Sequence, residues 1–237
     1  AIFLLEIAGL LHDTGKLDSR FIDYRKKWQQ WKDGWNYDND SHDNEFFDKD
    51  SILSNTKFKD LKEALNKTVA DICSTDKVWV RGSNIPLNIS LKELMQQHTK
   101  PRHTLSKILK LADSIDSAYE RNNPLFVNEQ KGDKIHSSTV FGYEKPLRVD
   151  CFDKTRELLY HNLQPLLKNY FKTFEYKDRQ NIFKKAEDAF KIAISDTTRP
   201  ANDTTLWQHS YMTSALTKTF LIHFLIYGKI LEKFNDG

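Results

Sequence analysis

Cysteine is nearly absent from this sequence of 237 residues: Cys73 and Cys151 are the only two, they lie far apart, and they make no CxxC pair. That excludes a disulfide framework and a zinc knuckle, and it fits a cytoplasmic protein. Long apolar runs are missing as well. The longest, Phe220 to Tyr227 (FLIHFLIY), falls well short of the roughly 20 residues that cross a bilayer and contains His223. It reads as a buried helix, and no membrane partner is expected. Charge of one sign is not in excess either, since 36 Lys and Arg against 33 Asp and Glu leave +3. No basic footprint compels a nucleic-acid reading, so any such partner has to be argued from a site. The first residues (AIFLLEIAGLLHD) have neither an initiator Met nor a basic region of the kind that opens a signal peptide, and the chain is read as a fragment or trimmed domain of a longer one. No internal repeat and no low-complexity linker interrupts it.

What is present is enough apolar material for one sizeable core, with 39% hydrophobic and 12% aromatic residues. Ile2, Leu4, Leu5, Ala8 and Leu11 recur at helical spacing, and Gly15 stops that helix just after His12 and Asp13. Residues 18 to 57 mix Asp, Asn, Lys and Trp with weak periodicity and read as irregular structure with short helices. Leu61, Leu65, Val69 and Ile72 make one stripe from Lys59 to Cys73, and Ser90 with Glu93 forms a capping box ahead of Leu91, Leu94 and Met95. From Thr104 to Arg121 a face of Leu105, Ile108, Leu109, Ala112 and Ile115 also carries Asp113, four residues after Leu109, so a carboxylate points inward. Residues 124 to 152 hold Gly132, Gly142, Pro146 and the alternating LRV segment, consistent with a small β-hairpin-like insertion. Helices follow at about 153 to 172 and 177 to 194, and a last one from Asp203 to Phe234. The expected fold is all-α with a hairpin insertion, one domain over residues 1–237.

The chemistry is concentrated at GLLHDTGK. A His followed at once by an Asp at a helix end offers an imidazole nitrogen and a carboxylate oxygen to one point, the ligand types a hydrolytic divalent metal needs. The bland alternative is a helix C-terminal cap with a favourable dipole contact. Asp113 could pair with a nearby Lys or Arg instead, although an inward carboxylate is costly without a partner. His209 could be a satisfied core histidine. His42 lies in the polar stretch NDSHDNEFF and His98 ends LKELMQQHTKPRH; each is a candidate for a second metal or a substrate phosphate, or else a solvated loop residue and a helix cap. His103 competes with His98, whereas His136, His161 and His223 have no supporting context. Lys16 could contact a scissile phosphate or be solvated after a turn, and Arg199 in DTTRP reads as structural. Trp28, Trp31 and Trp35 invite base stacking, but their spacing by three and four suits a helix face packed on a core.

The motif GLLHDTGKL resembles the signature of the HD superfamily of metal-dependent phosphohydrolases, whose usual order is His, then HD, then one or two His, then Asp. Nothing before His12 supplies the leading His. The segment LWQHSYMTSALTK resembles the opening helix of an HD domain, which makes His209 the substitute and the arrangement a circular permutation. Together with ADSIDSAYER and DTTRPANDTTLWQHS, that order is similar to the amino-terminal region of the large, polymerase-like subunit of type III CRISPR effector complexes. The resemblance implies a nuclease for single-stranded DNA that works beside the other subunits of a CRISPR ribonucleoprotein. It also implies metal ligands His12, Asp13, Asp113 and His209, a catalytic role for Asp13 and Lys16, and Mn, Ni, Co or Fe as the cofactor, since imidazole-rich sites favour the softer ions over Mg. The GGDD-like motif of the palm domain that follows in that family is not in this sequence. Two other readings stand beside it: hydrolysis of a small nucleotide, and a degenerate HD fold that only scaffolds the effector.

Overall fold

A computed structural model describes residues 1–18, 56–81, 83–97, 100–122, 136–138, 144–146, 149–193, 195 and 204–229. His42, His98, Arg199 and the tryptophans 28, 31 and 35 lie outside the described residues. Among those described, the elements are α1 (Ile2–Leu11), α2 (Lys59–Asn66), α3 (Val69–Cys73), β1 (Lys77–Val80), β2 (Ser83–Pro86), α4 (Leu91–Gln96), α5 (Thr104–Asn122), β3 (His136–Ser138), β4 (Glu144–Pro146), α6 (Phe152–Thr173), α7 (Tyr176–Phe190) and α8 (Leu206–Tyr227). The fold is therefore mainly helical with small antiparallel hairpins, as the sequence indicates, and β3 pairs with β4 inside the expected insertion. No described helix is long and apolar enough to cross a membrane.

Helix α1 lies at the centre because it is apolar on nearly every side. Leu4, Leu5, Ile7, Ala8, Leu10 and Leu11 are all buried, and such a helix is stable only when neighbours surround it. Burial of each large aliphatic side chain contributes about 1.5–3 kcal/mol. The neighbours are α8 above all, then α4, α5 and α7. Against α8 the fit depends on small residues: Ser210, Thr213, Ser214 and Thr217 are fully buried on α8. A Cβ on Gly9 would come within 3.1 Å of the Ser214 Cα and the Thr217 Oγ1. Among the described elements, α1 and α8 thus pack together most extensively.

One charged group is buried inside this apolar helix. Glu6 receives two hydrogen bonds from Arg179 of α7 (2.7 and 2.5 Å) and one from Lys218 of α8 (2.7 Å). Burial pushes its carboxyl pKa up, but the bonds from Arg179 and Lys218 outweigh that and hold it below the ordinary glutamate range. Glu6 thereby fastens three helices together. A second buried pair, Asp18 with Arg156, anchors the turn that follows α1 to α6.

Local signals decide several boundaries. Ser90 and Glu93 cap α4 reciprocally, as their spacing predicts. The expected single helix over 59–73 is instead two, since Lys67 is extended and Thr68 opens α3 with its own capping box to Asp71. The hairpin β1–β2 was not foreseen. Helix α8 starts from a capping box between Thr205 and Gln208 and ends at Tyr227. It stops short of the expected Phe234 because Gly228 adopts φ 71° and returns its N–H to the Phe224 carbonyl.

Candidate metal centre

The turn after α1 places the His-Asp pair. His12 follows α1 directly, Asp13 adopts φ −99°, ψ 14°, and a 3₁₀ turn over Thr14–Leu17 carries the chain away. His12 is the C-cap residue of α1, as the cap reading has it, but both His12 and Asp13 are only 2% exposed, so the pair is buried. Helix α5 brings Asp113 to the same place, and α8 brings His209, also 2% exposed, from the other end of the chain.

The four side chains converge. Asp13 Oδ2 lies 3.4 Å from His12 Nε2 and 3.2 Å from His209 Nε2. Asp113 Oδ1 lies 3.8 Å from His12 Nε2 and 3.5 Å from His209 Nε2. Two ligands bound at roughly 2.1 Å to one ion can be no more than about 4.2 Å apart, so each of these separations is compatible with a shared ion. One ligand atom from each of His12, Asp113 and His209 falls within 4.8 Å of the others, which marks this trio as the core of a candidate site. Asp13 adjoins it, with Oδ2 also 2.6 Å from the Lys16 ammonium.

Both imidazoles turn Nε2 toward the common point because Nδ1 is engaged elsewhere. His12 Nδ1 lies 2.7 Å from the Gly9 carbonyl, one turn back on α1. His209 Nδ1 lies 2.6 Å from Asp116 Oδ2. Asp116 was not singled out in the sequence, although it stands three residues after Asp113 and so on the same face of α5, a spacing that could have found it.

The electrostatics favour a cation. Burial works against charge on His209, yet Asp113, Asp116 and Asp13 more than offset this and raise its pKa well above that of an ordinary histidine. Lys16 adds a positive charge on the same side, 2.6 Å from Asp13 Oδ2. Lys16 does not project freely: its ammonium also donates to the Ser195 carbonyl at 2.7 Å. Ser195 N–H bonds the Thr204 carbonyl at 3.0 Å and Leu206 N–H bonds the Ala193 carbonyl at 2.8 Å, which sews together the two ends of the segment leading into α8. Lys110, on α5, lies 3.5 Å from Asp113 Oδ2, and Ser117 Oγ donates to Asp113 Oδ1 at 3.4 Å.

No family model, curated protein or solved structure matches this chain.

Of the sequence candidates, His12, Asp13, Asp113, His209 and Lys16 come together. His103 does something else: its Nδ1 accepts the Leu105 N–H at 3.1 Å at the start of α5, which makes it a helix-end residue. The more exposed members of the cluster are Lys16, Asp113 and Lys110, at 15%, 14% and 38%, so solvent reaches it from their side.

Proposed function

We propose that this chain is a metal-dependent phosphohydrolase of the HD type, acting as a nuclease on single-stranded DNA within a type III CRISPR effector. The observation that carries the reading is the convergence of two imidazole nitrogens and two carboxylates, from the turn after α1 and from α5 and α8, on one largely buried point. A donor set of that composition suits Mn, Fe, Co or Ni better than Mg. His12, Asp113 and His209 would hold the ion, with Asp13 as a fourth donor. When bound, such an ion supplies Lewis acidity toward a phosphoryl oxygen and makes water acidic enough to attack near neutral pH.

The remaining work falls to the chain's own groups. Asp13, held by Lys16 through Oδ2, is assigned the catalytic role of orienting an attacking water through its second carboxylate oxygen. Lys16 stands at the solvent side with one ammonium shared between Asp13 and the Ser195 carbonyl, where it can neutralise charge on a phosphate. The packing of α1 on α8 excludes water behind the histidines.

The choice of single-stranded DNA rests on the resemblance of GLLHDTGKL, ADSIDSAYER and LWQHS to the CRISPR subunit, and on a net charge of +3 that would hold a duplex poorly. A small nucleotide is the second reading, favoured by how deeply His12, Asp13 and His209 are buried. Protein loaded with Mn²⁺ or Ni²⁺ is expected to cut single-stranded DNA, to leave duplex DNA intact, and to lose activity in Asp13→Ala. Release of phosphate from nucleoside phosphates with single strands untouched would replace this reading with the nucleotide one. Inertness toward both would favour a scaffold.

A further inference from the structure

The two histidines of the centre are held by different means. The ring of His12 leans on a carbonyl of its own helix, so its orientation comes with the fold of α1. His209 has no such support from α8. Its Nδ1 reaches across to α5, where Asp116 Oδ2 receives it at 2.6 Å, and Asp116 is itself only 12% exposed. A carboxylate can only accept this hydrogen bond, so the Nδ1 hydrogen stays on the ring and Nε2 is the nitrogen left for a ligand role. Nε2 is also the atom that faces Asp13 and Asp113, at 3.2 and 3.5 Å.

One turn of α5 therefore provides both a carboxylate at the centre, Asp113, and a carboxylate behind it, Asp116. A surface ion pair joining α5 to α8 would give no reason for the bonded histidine to be 2% exposed, nor for its other nitrogen to face the ligand cluster. We propose that Asp116 is a positioning residue of the metal centre, fixing the orientation and tautomer of His209 and making its Nε2 a stronger donor. The role rests on the metal-centre reading above. Carboxylates placed in this way behind a ligand histidine typically change metal affinity by about 10–100-fold.

The test is a calorimetric titration of the metal-free full chain with Ni²⁺ for the wild type, Asp116→Asn, Asp116→Ala and His209→Ala, with thermal melts of each protein without metal. Asp116→Ala is expected to weaken Ni²⁺ binding by about 10–100-fold. Asp116→Asn keeps an acceptor oxygen in nearly the same place but no charge, and is expected to lose less. Should the alanine variant fail to fold, the isosteric asparagine carries the comparison. A purely structural role would lower the metal-free melting temperature while leaving the Ni²⁺ affinity of the folded variants at the wild-type value, and that result overturns the positioning role alone. No binding by the wild type would instead overturn the metal centre, and the positioning role with it.

Discussion

Replacing Gly9 by alanine tests whether the approach of α1 to α8 is what brings the two ends of the chain to one site. Two effects oppose each other. Alanine is a better helix former than glycine by about 1 kcal/mol in a helix interior, which would stabilise α1. The new Cβ, however, would lie 3.1 Å from the Ser214 Cα, 3.1 Å from the Thr217 Oγ1 and 3.4 Å from a Leu109 methyl. Carbon contacts are most favourable at about 3.5–4.0 Å, so the shortfall against Ser214 is roughly half an ångström. Because one of the close atoms is backbone, no rotamer change relieves it, and α8 must move. Overpacking of this kind costs about 1–3 kcal/mol. The cost wins, and the expected net destabilisation is about 1 kcal/mol, or about 2–4 °C in Tm for a domain of this size. The movement also displaces His209, five residues before Ser214 on the same helix, so metal affinity is expected to fall together with Tm. Chemical denaturation and metal titration of the two proteins measure both effects. A Tm that rises by a few degrees, with unchanged metal affinity, would refute the reasoning and show that α1 and α8 are not limited by Gly9.

Other perturbations follow from the same contacts. Glu6→Gln leaves Arg179 and Lys218 facing a neutral side chain and is expected to cost about 2–3 kcal/mol at pH 7, below the usual figure for a broken buried pair because both cations are partly exposed. Since the Glu6 pKa is lowered on folding, its contribution is complete above about pH 4.5 and fades as pH falls further; denaturation curves of the two proteins should converge in acid, and a constant gap down to pH 2 would contradict this. Lys16→Met removes the ammonium from buried Asp13, so the metal-free protein should lose about 1–3 kcal/mol and the rise in Tm on adding Mn²⁺ should exceed that of the wild type; equal rises would mean that Lys16 and the ion do not share Asp13. Mn²⁺ or Ni²⁺ should raise the Tm of the wild type through linkage and do so much less for His12→Ala, whereas equal shifts would place the ion elsewhere.

Local chemistry was the most legible part of the sequence. The Ser90–Glu93 box needs only residues three apart, and it forms as written. The same signature, Thr68 with Asp71, was present in the 59–73 stripe, but the apolar period continues through it and hides the break. The buried pairing of Glu6 is not read from the sequence, because its partners, 173 and 212 residues away, have no local mark. At the site, His12 and Asp13 are adjacent and visible as a unit. His209 was reachable only through the order of motifs, because its neighbourhood is made by the packing of α8 on α1. Asp116 stands in ADSIDSAYER three residues after Asp113, so its face of α5 was legible, but its partner His209 is 93 residues away and has no local mark. The sequence leaves Lys16 open between a phosphate contact and a solvated position; its ammonium is shared between Asp13 and the Ser195 carbonyl, contacts that depend on the 3₁₀ turn and on the hydrogen bonds joining Ser195 to Thr204 and Ala193 to Leu206.

The most direct measurement is the metal content, by elemental analysis, of protein purified without chelator and then equilibrated with Mn²⁺ or Ni²⁺, beside a His12→Ala, Asp13→Ala double variant shown to be folded. A centre formed by His12, Asp13, Asp113 and His209 requires near-stoichiometric metal in the wild type and almost none in the variant. Equal metal in both proteins, or none in either, would contradict it.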